Sequence, residues 1–157
     1  MESLDYKQLI PELKEWEEHN GRPFNPDDWI GCVGNYDHAI GYITIFWPEF
    51  YEYDGCIFVG NIPDEKNYVS WLKATKGDKK SVEAVINHVH ITDLFQVDQL
   101  NPTELQIKFI GSKLQDMWLA KAKKEFPSRN ISVEFYEGDE NDLVEYQVTL
   151  FQNEHKS

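Results

Sequence analysis

The chain has 157 residues, 41% of them apolar and 14% aromatic, with a formal net charge of −13. That length suits a single domain burying roughly 70% of its unfolded surface, with no need of a disulfide or a metal, and the aromatic content excludes global disorder. The negative charge repels nucleic acid and leaves a basic protein as the favoured class of partner.

The charge is uneven. Residues 1–65 hold 14 acids against 3 bases, 66–129 hold 11 bases against 7 acids, and 130–157 hold 7 acids against 1 base. The longest apolar run, Tyr42 to Trp47, contains Thr44 and stops at Pro48. It falls far short of the ~18 residues of a membrane span. The N-terminus has no basic stretch followed by an apolar one, so no secretory signal is expected. Cys32 and Cys56 alone imply no disulfide framework, and the chain reads as cytoplasmic with two reduced thiols.

In chain order, Leu4 to His19 reads as helix, with Tyr6, Leu9, Leu13 and Trp16 at helical spacing. Pro11 either bends it or opens a second helix, and Gly21 is a natural stop. Arg22 to Asp28 is a connector marked by Pro23, Asn25 and Pro26. It delivers Trp29 and the segment Ile30 to Val33.

The stretch from Gly34 to Gly60 carries eight large rings, Tyr36, Tyr42, Phe46, Trp47, Phe50, Tyr51, Tyr53 and Phe58. Rings at that density are expected to fill the interior. Two readings compete for Tyr36 to Trp47. Asn35 can cap a helix, and Ala39, Tyr42, Ile43 and Trp47 then share one face; the β-branched and aromatic run Tyr42 to Phe46 favours strand. Helix is the reading taken, ended by Pro48. Asp54-Gly55 marks a turn into a short buried strand, Cys56 to Val59.

Asp64 to Lys76 reads as a helix, and a second runs from Ser81 with Val82, Val85, Ile86 and Val89, fading through His90 to Phe95. Asn101 to Phe126 is the clearest element. Asn101 is expected to cap it, with Pro102 in first position and Glu104 in the capping box. Ile131 to Tyr136 and Val144 to Leu150 alternate as two strands joined by the acidic link EGDEND. The expected architecture is a single α+β domain over residues 1–157, mostly helical, with a C-terminal antiparallel β-hairpin packed on the long helix.

Candidate chemistry is sparse. His88, His90 and Asp93 form the first catalytic or metal candidate, since His88 and His90 would share one side of a strand. The helical reading of that region separates them, and helix termination by His90 and Asp93 is the simpler account. His38 beside Asp37 is the second, as a base with a tuned pKa; capping by Asp37 competes with it. Cys32, Trp47 and Tyr51 are the candidate ligand-binding residues. Cys32 lies between Gly31 and Gly34, where the backbone can approach a ligand closely.

Glu49, Glu52 and Asp54 among rings would suit a carbohydrate site needing two acids ~5–10 Å apart, but alternation of inward rings and outward acids explains them as well. The four acids of Glu137 to Asp142 lack the spacing of a calcium loop. No dinucleotide fingerprint, P-loop, nucleophile elbow or zinc-protease pattern occurs. The sequence assigns no cofactor and no metal.

Two functions follow. The first is a non-enzymatic interaction module that docks a basic partner, comparable at class level only to the immunity proteins that neutralise basic nucleases. Exposed rings such as Tyr51, Tyr53 or Tyr136 would anchor it. The second is a small enzyme or ligand-binding domain with a pocket under residues 34–60, built from His38, Cys32 and His88 or His90.

Overall fold

The computed structural model describes residues 5–95, 101–139 and 142–155. Leu4, the expected start of the first helix, and Glu140 and Asn141 of the acidic link lie outside the described residues. The chain divides into two compact units, residues 1–42 and residues 43–157.

The first unit is helical. Its elements are α1 (Tyr6–Leu9), α2 (Glu12–Asn20), α3 (Pro26–Val33) and most of α4 (Tyr36–Phe46). Asp5 caps α1 by accepting from the Lys7 amide at 3.1 Å. Helical backbone then breaks at Ile10 (φ −128°, ψ 85°), and α2 begins behind Pro11, so Pro11 opens a second helix. Gly21 stops α2 at φ 64°, a left-handed conformation that glycine adopts without a Cβ clash.

Helix α3 corrects the connector reading. Asn25 and Asp28 form a capping box with Pro26 behind it, so part of the supposed linker is a helix start. Leu9, Leu13 and Phe24 form the buried centre of this unit, with the Trp16 ring edge-on to Phe24 at 5.3 Å.

The second unit opens with the last turn of α4, whose Ile45 and Phe46 pack on its core. The hairpin of β1 (Phe50–Tyr53) and β2 (Cys56–Val59) follows, turning at Asp54 and Gly55, both at positive φ. Strand β2 and its turn match expectation; β1 is an addition. Then come α5 (Glu65–Ala74), capped by Asp64, and α6 (Lys79–Ile86), capped by Asp78. Helix α6 starts two residues before Ser81 because the Asp78 carboxylate accepts from the Lys80 amide. The expected fading helix over His90 to Phe95 is instead the two-residue strand β3 (Val89–His90) and a 3₁₀ turn, Ile91–Leu94. Strand pairing with a distant segment overrides the local helical pattern there.

Helix α7 (Glu104–Glu125) carries the expected apolar stripe but not the expected cap. Thr103, not Asn101, is the N-cap: its hydroxyl accepts from the Gln106 amide, and the Gln106 side chain accepts from the Thr103 amide at 2.8 Å. Strands β4 (Ile131–Tyr136) and β5 (Gln147–Gln152) pair antiparallel from Ile131↔Gln152 to Tyr136↔Gln147, and β3 joins the other edge of β5. Their apolar face lies on α7, where Ile107, Leu114, Trp118 and Ala122 meet Ile131, Val133, Val148 and Leu150 in one buried cluster. The absent side chain of Gly111 makes room for the Phe135 ring, which a Cβ there would overlap. The fold is α+β, mostly helical, with the C-terminal hairpin on the long helix. No helix among the described residues is long and apolar enough to cross a membrane.

Candidate functional site

Two places in the molecule carry more than packing. The first is a groove on the first unit. Its walls are Trp29, Ile30, Val33, Tyr36, Ala39 and Tyr42, with Gly31, Gly34, Asn35 and His38 between them, and it encloses about 670 Å³. Gly34 ends α3 where its amide donates to the Ile30 carbonyl, and a Cβ there would collide with that oxygen. Asn35 starts α4 by accepting from the His38 amide at 2.8 Å, so Asn35 and not Asp37 is the cap. The same Asn35 amide nitrogen lies 3.0 Å from His38 Nδ1 and fixes the imidazole at the groove wall. The His38 ring lies 6.2 Å from that of Tyr42.

Here the ring-rich stretch departs from the expected interior filling. Every residue from Ile30 to Thr44 is exposed. Tyr36 is 89% exposed, Ile40 63% and Tyr42 43%. Phe58, by contrast, is fully buried, and Phe46 and Phe50 pack on the core of the second unit.

The remaining candidates divide between the units. Cys32 is an exposed thiol on α3 and is not among the groove walls. Trp47, partly exposed, follows α4; the Lys121 ammonium lies 6.0 Å from its ring centre and 5.5 Å from that of Phe50. That ammonium donates to the carbonyls of Trp47 and Pro48, so it satisfies the chain reversal after α4. The Tyr51 hydroxyl donates to Glu49 at 2.6 Å, and that bond, followed by the acceptor's charge, raises its pKa. His88 and His90 come together, ring centres 5.3 Å apart and nearly perpendicular. Each Nδ1 lies against a backbone carbonyl, that of Val85 or of Val144. Asp93 is exposed on the 3₁₀ turn.

The second place is buried in the second unit, and the sequence reading passed over it. Glu83 on α6 is fully buried. One carboxylate oxygen accepts from the Ile57 amide and from the Gln152 side chain, both at 2.7 Å; the other accepts from the Gln152 amide at 2.7 Å. One turn later, Asn87 accepts from the Val59 amide and donates to the carbonyls of Ile57 and Leu150. These two side chains satisfy the free edge of β2 and tie it to β5, doing for the backbone what a further strand would do. The signal for them was a carboxylate and an amide at i, i+4 within a helix otherwise reading as apolar stripe.

Around Glu83 gather two more groups. Cys56 on β2, fully buried, and His155, just after β5, each bring a ligand-type atom within 4.8 Å of the others. His155 Nε2 lies 3.3 Å from a Glu83 oxygen. Burial, reinforced by the Glu83 charge, pushes the Cys56 thiol up to about 11, so it is no activated nucleophile at neutral pH. Its sulfur also lies 3.8 Å from the Tyr68 hydroxyl, which donates to Asp54 at 2.7 Å. Burial and the Asp54 bond raise the Tyr68 pKa; the Tyr68 bond, followed by the Lys79 ammonium, lowers that of Asp54.

Comparison with known protein families, with curated proteins and with solved structures finds no match to this chain.

Proposed function

We propose that the α3–α4 groove is a docking surface for a basic, amphipathic helical segment of another protein, which makes the chain a non-enzymatic interaction module. The observation that carries this reading is the exposure of the whole stretch Ile30 to Thr44 despite its apolar content. Short helices draw their stability from an apolar face packed on something, and α3 buries no residue fully. A contiguous apolar surface of this kind marks an interaction site.

The occupant's chemistry follows from charge. Residues 1–42 hold nine acids against three Lys and Arg, and Asp27 and Asp37 stand exposed on the groove helices themselves. A second copy of the chain, or an anionic membrane, would bring like charges together. A cationic helix brings opposite ones, with apolar anchors at i, i+3, i+4 and i+7 for the groove. A basic nuclease neutralised in the manner of an immunity protein is one member of that partner class.

The alternative, a small-molecule pocket under residues 34–60, draws on one observation. The groove volume falls in the ~300–1,000 Å³ range of ligand sites, with His38 and Asn35 as its polar groups.

Calorimetric titration with a synthetic amphipathic Lys/Leu peptide, its scramble and a Glu/Leu counterpart tests the docking reading. The expected result is saturable 1:1 binding of the Lys/Leu helix alone, weakening as salt rises. Tyr36→Ser with Ile30→Ser, both on the groove walls, should lower the affinity about tenfold or more, as loss of central anchors does. Equal binding of the scramble, or none at all, overturns the proposal; so does a dimer at micromolar concentration that the same two substitutions dissolve.

A further inference from the structure

We propose that Cys56, Glu83 and His155 form a binding site for a zinc-like divalent cation in the second unit, independent of the groove. Three features of the cluster converge on this. A sulfur, a carboxylate oxygen and an imidazole nitrogen, from β2, α6 and the segment after β5, all lie within 4.8 Å of one another. Three such side chains, with a fourth position left for water, make a common zinc arrangement.

The second feature is the state of the imidazole. Both ring nitrogens of His155 are buried and neither makes a hydrogen bond. Nε2 stands 3.3 Å from the Glu83 carboxylate without the alignment of one. Two ligands on one tetrahedral ion, each with a bond of about 2.0–2.1 Å, are separated by about 3.4 Å. The observed spacing is that of a tetrahedron's edge. The Cys56 sulfur lies within 4.8 Å of both other ligand atoms, so closing by at most about an ångström completes the face.

The third feature is the mounting of Glu83. Three N–H donors, from Ile57 and Gln152, hold its carboxylate in place, as outer groups commonly orient a metal-bound carboxylate. A fully buried carboxylate facing neutral donors is expensive to desolvate, and a dication at its free side offsets that cost. On binding, the sulfur–metal bond forms as the Cys56 thiol proton leaves to solvent. The ion would then fasten the segment after β5 to β2 and α6.

Titration of the full chain with Co²⁺, followed by absorption, tests this directly. The expected result is 1:1 binding with a thiolate-to-cobalt charge-transfer band and an intense tetrahedral visible band, both removed by added Zn²⁺. Cys32→Ser should leave the bands unchanged, and Cys56→Ser should abolish the charge-transfer band. Because the His155 side chain makes no hydrogen bond, His155→Ala should fold normally, as circular dichroism checks. It should weaken Co²⁺ binding about a hundredfold, the upper end of what even an outer-shell partner costs. Absence of a thiolate band overturns the proposal, as does its loss in Cys32→Ser, or wild-type affinity in His155→Ala.

Discussion

Helices α3 and α6 are both eight residues long, and they lie at opposite ends of what a helix can do. The first carries Trp29, Ile30 and Val33 yet buries none of its residues fully. The second fully buries Val82 and a glutamate, and the asparagine that ends it is buried too. Apolar content alone therefore does not decide which helix becomes core. Glu83 is inside because every hydrogen bond it needs is waiting there, from strand edges that would otherwise be unsatisfied. The rings of the groove are outside because no element of their unit covers them.

The sharpest way to break that comparison is to remove the buried acid. Glu83→Ala should destabilise the second unit by about 4 kcal/mol, since it orphans the donors on Ile57 and Gln152 and leaves a cavity. Denaturant unfolding reads this directly, and a loss below about 1 kcal/mol would mean the network is ornamental. Next in size is Gly111→Ala. In an exposed helix, alanine in place of glycine stabilises by up to about 1 kcal/mol. Here the new methyl meets the Phe135 ring, and the expected change is a destabilisation of about 2 kcal/mol from overpacking. Shaving the ring with Phe135→Leu in the same chain should recover part of it, as a double-mutant cycle would measure. The smallest effect belongs to the exposed face of α4. Ile40→Ser should change stability by less than about 0.5 kcal/mol, because a mostly exposed side chain has little burial to lose. A thermal midpoint that falls by many degrees would show that the residue belongs to a core after all.

Much of the fold was legible in the chain. Pro11, Gly21 and Pro48 end or begin helices where their ring or their free φ requires it, and the alternation over 131–136 and 144–150 marks two paired strands, although Leu143–Glu145 is a 3₁₀ turn and the second strand runs Gln147–Gln152. The α3 capping box is equally legible in Asn25, Pro26 and Asp28, residue types that also mark connectors. The Thr103 cap had a rival one turn earlier in Asn101, and a choice between two good caps depends on where the helix finds its packing partners. The candidate site was far less legible. His38 was visible as a residue, but its place in a groove depends on α3, which had not been recognised.

Residue type and spacing by themselves determined most of the helices, the paired C-terminal strands, the stops at Gly21 and Pro48 and the turn at Asp54-Gly55. Those properties are set within four residues of one another along the chain. Tertiary structure alone decided that Tyr36 and Tyr42 of α4 face outward while Phe46 packs on the core, that Val89–His90 is strand, that Glu83 and Asn87 take the edge of β2, and that His155 meets Cys56. Burial depends on which distant surface arrives to cover a face, and no local pattern records that arrival.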